Sequence, residues 1–329
     1  MSKPRHSILS PALFAAVALA AAGCSSGNSQ PPLPLSESNA TSVAAEALIT
    51  TGQSSFTVQL PGGVITTGVA AALRSLPPRA AQRLTALATG PQNADGTMTT
   101  ACPVSGTATV TTAGTMVTYT FNACVQDAST KIEGSLQFTV KQSSTNQVAL
   151  SATFDLTVTS GALSFAESGG YTIALTAAQN PTDDTRYELT GDRLDVALSA
   201  GGVVRDEVTL SSFDVVIDQQ LTSTDQQVQH FTYDVDSSRL KGHITVMTTQ
   251  DVQQSIDPIQ PTQYPFAGQI LVAGANHTRL QITILGDETF TPPAGQGQIE
   301  LEIDPGTGTF GAPIWTSWAE LSAMVAVGP

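Results

Sequence analysis

The sequence contains few basic residues and few charges of either sign. Lysine and arginine number 13 against 27 aspartates and glutamates, which gives a formal net charge of −14, and only 12% of the residues are charged. A chain this acidic repels the phosphate backbone of nucleic acids, so the composition argues against a nucleic-acid-binding protein. Low charge with abundant threonine, serine, glycine and valine favours β-structure over surface-charged helices.

Histidines and the usual catalytic motifs are scarce as well. The chain has four histidines, and the three beyond the first segment, His230, His243 and His277, show no metal-binding spacing such as H-x-x-x-H. The sequence contains no G-x-S-x-G nucleophile elbow and no Walker A motif. We therefore predict no catalytic residue, no metal site, no cofactor and no enzymatic activity. A hydrolase whose active site is assembled from distant positions is the alternative.

Two acidic stretches are the remaining candidates for catalysis. Asp183-Asp184 and the segment DVDSS, residues 234–238, each place carboxylates close together in the chain. Paired carboxylates serve glycosidases when they flank a scissile bond at a fixed separation. Both stretches occur in turn-like contexts, so we expect solvated turns.

Only one long apolar run occurs, and it is near the beginning of the sequence. ALFAAVALAAAG, residues 12–23, follows the basic residues Lys3 and Arg5. A basic segment, an apolar run of about a dozen residues and a small-residue stretch are typical of a signal peptide, and the run is too short for a stable membrane span.

The residues Ala21-Ala22-Gly23-Cys24 resemble the lipobox of bacterial lipoproteins, which usually has leucine where this chain has Ala21. The resemblance implies cleavage before Cys24, a diacylglycerol on its thiol and a signal peptide over residues 1–23. Ser25 implies sorting to the outer membrane of a Gram-negative bacterium. The alternative is ordinary secretory cleavage, which leaves Cys24 as a free thiol.

Residues 24–39 are rich in serine, proline and asparagine and contain little that could be buried, so we expect a flexible tether there. The chain has three cysteines, and lipidation of Cys24 leaves Cys102 and Cys124. An even pair in an exported protein predicts a disulfide.

The stretch between those two cysteines has the pattern of a β-hairpin. Folding it about Ala113-Gly114 places the apolar residues on one face but sets Cys102 one place off Cys124. A bulge near Pro103 would remove that conflict. A three-residue loop, Thr112 to Gly114, is the alternative. It places the two cysteines directly opposite each other, but the apolar residues then no longer share one face.

The rest of the chain predicts an all-β fold. Residues 40–92 have the pattern of short helices, and residues 93–329 show strand after strand. A strand start of the form Gly-x-apolar recurs about every 28 residues, which suits one hairpin per unit and suggests eight hairpins, or some sixteen strands. We expect a large antiparallel meander that forms a curved sheet, a partial barrel or a two-layer sandwich. Ser317 with Glu320 predicts a capping box and a closing helix from about residue 318 to 327.

The function predicted from these patterns is that of a lipid-anchored, exported envelope lipoprotein. Its β-rich domain is expected to bind a protein partner, a glycan or an apolar ligand, and the membrane is a partner only through the N-terminal lipid. The alternatives are a structural or adhesive surface protein and the hydrolase mentioned above.

Overall fold

The computed structural model describes residues 30–50, 96–125, 128, 130–143, 147–177, 185–220, 226–255 and 264–327. Cys24, residues 1–29 and most of the expected helical region therefore lie outside the described residues. Of that helical region the structure describes one helix, α1 (Ala40–Thr50). None of the helices in the described ranges is both long enough and apolar enough to cross a membrane.

In the part of the chain that the structure describes, fourteen antiparallel strands form one sheet in which each strand pairs with the next along the chain, from β1 to β14. The predicted all-β meander is confirmed, and the sheet is not closed. The strands are β1 (Gly96–Ala101), β2 (Ser105–Ala113), β3 (Met116–Val125), β4 (Thr130–Ser143), β5 (Gln147–Ser160), β6 (Leu163–Ala177), β7 (Thr185–Ala200), β8 (Val203–Gln220), β9 (Gln226–Ser237), β10 (Gly242–Ser255), β11 (Ala267–Ala273), β12 (Arg279–Ile284), β13 (Ile299–Asp304) and β14 (Ile314–Thr316).

The alternation of strand direction gives the sheet two ends. We call one the entry end, because the chain enters the described structure there, and the opposite one the far end. The described connections at the entry end are residues 102–104, 161–162, 201–202, 238–241, 274–278 and 305–313. The connection 285–298 and the start of the closing helix lie at the far end.

One face of the sheet, the inner face, carries the hydrophobic core. Alternate residues of the strands are buried there, and many of the isoleucines and valines of β9 to β13 are fully buried. Helix α1 packs on this face and on the C-terminal helix α2 (Trp318–Val327), and its alanines are fully buried. The protein's own helices therefore cover the inner face near β13.

The hairpin β2–β3 confirms the predicted cysteine pair and corrects its register. Cys102 and Cys124 are joined in a disulfide with their Cα atoms 5.5 Å apart. The turn is Gly114-Thr115 rather than either predicted loop, and Thr112 pairs with Val117. The physical reason is that Gly114 has φ 57°, the conformation that a type II′ turn requires at its first central residue.

The bulge that aligns the cysteines lies in β3 rather than at Pro103. Ala123 has φ 46°, and the pairing skips a residue there, so that Cys124 faces inward and is fully buried. Gly106 lies opposite, where a Cβ atom would come within 2.1 Å of the Ala123 carbonyl oxygen. Only glycine therefore allows the two backbones to approach this closely.

The predicted closing helix is confirmed over Trp318–Val327. The backbone N–H of Glu320 donates to Ser317 Oγ at 3.2 Å, and the N–H of Ser317 donates to the Glu320 carboxylate at 3.1 Å, which is a capping box. Trp318 stacks on Tyr264 with ring centroids 4.6 Å apart, and its indole N–H donates to the Gly286 carbonyl at 2.9 Å. It therefore anchors the helix to the sheet.

Candidate functional site

The segment Gln30–Leu35, which we call the entry segment, is bonded into the sheet although it belongs to the predicted tether. The N–H of Leu33 donates to the His243 carbonyl, and the N–H of His243 donates to the Pro31 carbonyl, both at 2.9 Å. On its other side Leu33 accepts from the N–H of Ala275 at 2.8 Å. Residues 30–35 of the predicted tether, residues 24–39, are therefore bonded to the folded domain.

Two glycines make room for the entry segment. A Cβ atom on Gly242 would lie 2.6 Å from the Leu33 Cβ, and one on Gly274 would lie 2.3 Å from the Leu33 carbonyl oxygen. Leu35, two residues on, is buried, and its N–H donates to Thr278 Oγ1 at 2.9 Å. Any side chain at the two glycine positions would push the segment off the sheet.

The acidic residues of the DVDSS stretch lie in strand β9 and not in a turn, which corrects the sequence interpretation. Asp236 Oδ1 accepts from the Gln30 N–H at 2.8 Å and lies 3.3 Å from His243 Nδ1. Asp234 Oδ1 accepts from Thr245 Oγ1 at 2.6 Å and lies 3.8 Å from His243 Nε2. Asp236 and His243 thus both hold the entry segment.

A second histidine, His230, lies beside a hydroxyl and a carboxylate, the combination found in hydrolases. Thr248 Oγ1 is 2.8 Å from His230 Nδ1, and Asp251 Oδ1 is 3.3 Å from the same nitrogen. A catalytic triad needs the nucleophile and the carboxylate on different ring nitrogens. The arrangement at His230 therefore lacks the geometry of a triad.

Helix α1 is fixed by a cluster of charges at the entry end, which we call the Arg239 cluster: Glu46, Asp206 and Arg239. Arg239 donates from Nε and Nη2 to Glu46 Oε2, the former at 3.0 Å, and its Nε lies 3.4 Å from Asp206 Oδ2. Its Nη1 also donates to the Met324 carbonyl at 3.2 Å. One buried guanidinium therefore joins α1, β8 and α2 to the β9–β10 turn.

Asp206 also shapes that turn. Its Oδ1 accepts from the Arg239 N–H and from Ser238 Oγ, each at 3.0 Å. The carboxylate thus holds the backbone that carries Arg239 while it shares the guanidinium with Glu46. In this network each buried charged group has a hydrogen-bond or ion-pair partner. Removal of one member would leave the charge of the others without a partner.

Two carboxylates share one cation in the Arg239 cluster, and the pKa of Glu46 is raised as a result. Burial and the negative charge of Asp206 raise the pKa of Glu46 to about 7, against the opposing effect of Arg239. Burial also raises the pKa of Glu167, on the inner face of β6, to about 8. Both groups bind their proton more tightly in the folded than in the unfolded protein.

Stability is therefore expected to fall as the pH rises from about 5 to 8. The free energy of unfolding decreases wherever the folded state holds more protons, which for Glu46 is between its ordinary pKa of 4.5 and about 7. Glu46→Gln should flatten the curve up to about pH 7, and Glu167→Gln should flatten its upper part. Urea unfolding at a series of pH values measures this, and equal slopes in wild type and Glu46→Gln would contradict it.

Compared with known proteins, the chain matches no family model, no curated protein and no solved structure. Among the residues that the structure describes, no group of three or more histidine, cysteine or acidic side chains could hold a metal ion. Of the residues singled out in the sequence, Cys102 and Cys124 come together at the entry end, whereas Cys24 lies outside the described ranges.

The Arg239 cluster was not found from the sequence. One signal was present, since Glu46 is the only charged residue in ATSVAAEALIT, the sequence of α1. A lone carboxylate on an otherwise apolar helix indicates a buried partner of opposite charge. Nothing local identifies that partner, because Arg239 lies 193 residues away in the chain.

Proposed function

We propose that this protein is an exported, non-enzymatic envelope lipoprotein, held by lipid on Cys24 in the outer membrane of a Gram-negative bacterium. The observation that supports this proposal is the attachment of the entry segment. Gln30 lies only six residues after Cys24, and the chain from there on is bonded to one end of a rigid sheet. Two or three acyl chains anchor a protein strongly without a spanning segment.

The proposed binding surface for a protein partner or a glycan is the outer face of the sheet. From β1 to β9, short polar side chains on this face pair in sequence from strand to strand and form a row perpendicular to the strands. The members of this row are Thr99, Thr109, Thr120, Ser135, Asp155, Ser168, Asp195, Thr209 and Asp236. Hydroxyl and carboxylate groups at about 4.8 Å spacing offer hydrogen bonds to a polar ligand.

A structural or adhesive surface protein is the second candidate, and the packing of the inner face favours it over carriage of an apolar ligand. Helices α1 and α2 cover that face near β13, and Tyr233 Oη, from the middle of β9, donates to the Ala47 carbonyl at 2.8 Å. The space in which a carrier would hold its ligand is filled here by the protein's own helix.

Replacement of the proposed lipidation site tests the anchor. Cys24→Ala is expected to abolish acylation, because the thiol that carries the diacylglycerol is gone. Growth of cells with labelled palmitate, followed by immunoprecipitation of either form, measures the label in the protein. Cys102→Ala/Cys124→Ala is the matched control and should incorporate as much label as the wild type. Equal label in Cys24→Ala, or a wild-type protein without label, would contradict the proposal.

A further inference from the structure

Among the large apolar side chains of the described residues, the three most exposed lie at the entry end. Val104 is 61% exposed, Val203 56% and Val204 54%, whereas the far end has Leu285 and Phe290 at 39% each. Val104 lies in the connection before β2, and the other two valines begin β8. Val203 and Val204 are neighbours at the tip of the β7–β8 hairpin, whereas Val104 lies six strands away along the same end of the sheet. Apolar side chains this exposed indicate contact with a partner or a membrane.

The three valines project beyond the point where the entry segment joins. Val203 lies six residues before Thr209, which pairs with Asp236, the residue that holds Gln30. At about 3.3 Å per residue the β7–β8 hairpin therefore extends about 20 Å past that level. Val104 lies five residues before Thr109 in the same row, which is about 16 Å along the direction of β2.

The chain between the proposed anchor, Cys24, and the entry segment is about as long as the projection of the β7–β8 hairpin. Residues 24–29 span at most about 20 Å when fully extended. The acyl chains on Cys24 would therefore hold the entry end within about 20 Å of the bilayer surface. That distance equals the projection of the hairpin, so its tip reaches the lipid surface while the tether is extended.

The tips are also free of charge. The β7–β8 turn is Gly201-Gly202, followed by the two valines, and the Gly201 N–H donates to the carbonyl of Ala162 in the neighbouring β5–β6 turn at 2.8 Å. In a chain of net charge −14, uncharged tips are the part that anionic lipid headgroups repel least. The nearest exposed charges along β8 are Arg205 and Glu207, which have opposite signs.

We propose that Val104, Val203 and Val204 insert into the surface of the bilayer that holds Cys24, and so orient the sheet with its entry end down. This inference rests on the proposed lipid anchor. The anchor alone would let the domain tumble about a six-residue tether. With the valines as a second contact, the outer polar face stands at a fixed angle to the membrane.

The cysteine content of the protein permits a direct test. With Cys24 acylated and the other two cysteines in a disulfide, a cysteine placed at a chosen position is the sole free thiol. Val203→Cys and, as the matched control at the far end, Leu285→Cys are labelled with an environment-sensitive fluorophore. The purified, acylated protein is then reconstituted into phosphatidylethanolamine–phosphatidylglycerol vesicles with and without nitroxide-labelled lipid.

Nitroxide lipid is expected to quench the label at position 203 several-fold more than the label at 285. Equal, weak quenching at both positions, in protein that floats with the vesicles, would overturn the inference and leave the anchor intact. A shielded fluorophore at 203 without quenching would indicate a second copy of the chain or another protein there, and would also overturn it. Protein that does not float with the vesicles would refute the anchor and, with it, this inference.

Discussion

Arg239→Met is expected to lower the free energy of unfolding by about 3–5 kcal/mol, the usual cost of removing one partner from a buried ion pair. The substitution leaves Glu46 and Asp206 facing each other without a cation, and it also removes the bond from Arg239 to the Met324 carbonyl. Methionine fills most of the volume of the arginine stem, so lost packing contributes little. Urea unfolding followed by tryptophan fluorescence measures the change, because Trp318 lies in α2.

Arg205→Met is the matched control for that substitution. Arg205 lies at the same end of the sheet but is exposed, and its replacement should change the free energy of unfolding by no more than about 0.5 kcal/mol. Above about pH 7, where Glu46 would otherwise ionise without a cation or take up a proton, combining Arg239→Met with Glu46→Gln should recover part of the loss. A loss below about 1 kcal/mol for Arg239→Met would show that the Arg239 cluster does not hold α1 in place.

Loss of the disulfide is expected to have the second largest effect on stability. Cys102→Ala/Cys124→Ala opens a loop with a sequence separation of 22, and constraint of such a loop in the unfolded chain is worth about 3 kcal/mol. Cys124 lies fully buried on the inner face, so its truncation also leaves a small gap in the core. The free energy of unfolding from urea titration measures the loss.

The reduced wild-type protein provides the control for this variant. Full reduction should destabilise the protein by about the same amount as the double substitution, because both remove the same constraint. The double-alanine variant should in turn be insensitive to the reductant. A wild-type protein as stable when reduced as when oxidised would contradict the predicted contribution of the bond.

The strand pattern made most of the fold predictable from the sequence. Alternation of apolar and polar residues specifies a half-buried antiparallel sheet, and the capping box of Ser317 and Glu320 placed α2 correctly. Within the described residues the sheet has fourteen strands where some sixteen were expected for the chain. A recurring glycine pattern does not fix the strand count, because it does not distinguish a strand start from a bulge. Gly134, for example, lies inside β4 with φ 106°.

The register of the cysteine hairpin could not be derived from the apolar pattern alone. Shifting the turn from Ala113-Gly114 to Gly114-Thr115 keeps the same residues on the inner face, so burial does not distinguish the two registers. The backbone of Gly114 decides between them, since its positive φ suits the first central position of the turn. The bulge at Ala123 then depends on Gly106 in the partner strand, a pairing that becomes visible only once the register is known.

The candidate site was less predictable because its residues meet through tertiary contacts. A proline-rich, polar stretch such as residues 30–39 has the composition of a linker, and only glycines at positions 242 and 274 allow part of it to pack on the sheet. The Arg239 cluster joins three residues from three parts of the chain. The local sequence identifies neither the partners of the entry segment nor those of Glu46.

Mass spectrometry of the mature protein extracted from membranes decides whether the chain is lipid-anchored through Cys24. We expect a chain that begins at Cys24 and carries a diacylglycerol on its thiol, with Cys102 and Cys124 joined in a disulfide. The N-terminal peptide should gain the mass of two or three acyl chains, and the cysteines of the hairpin should resist alkylation until they are reduced. An unmodified Cys24 thiol in membrane-extracted protein would contradict the account.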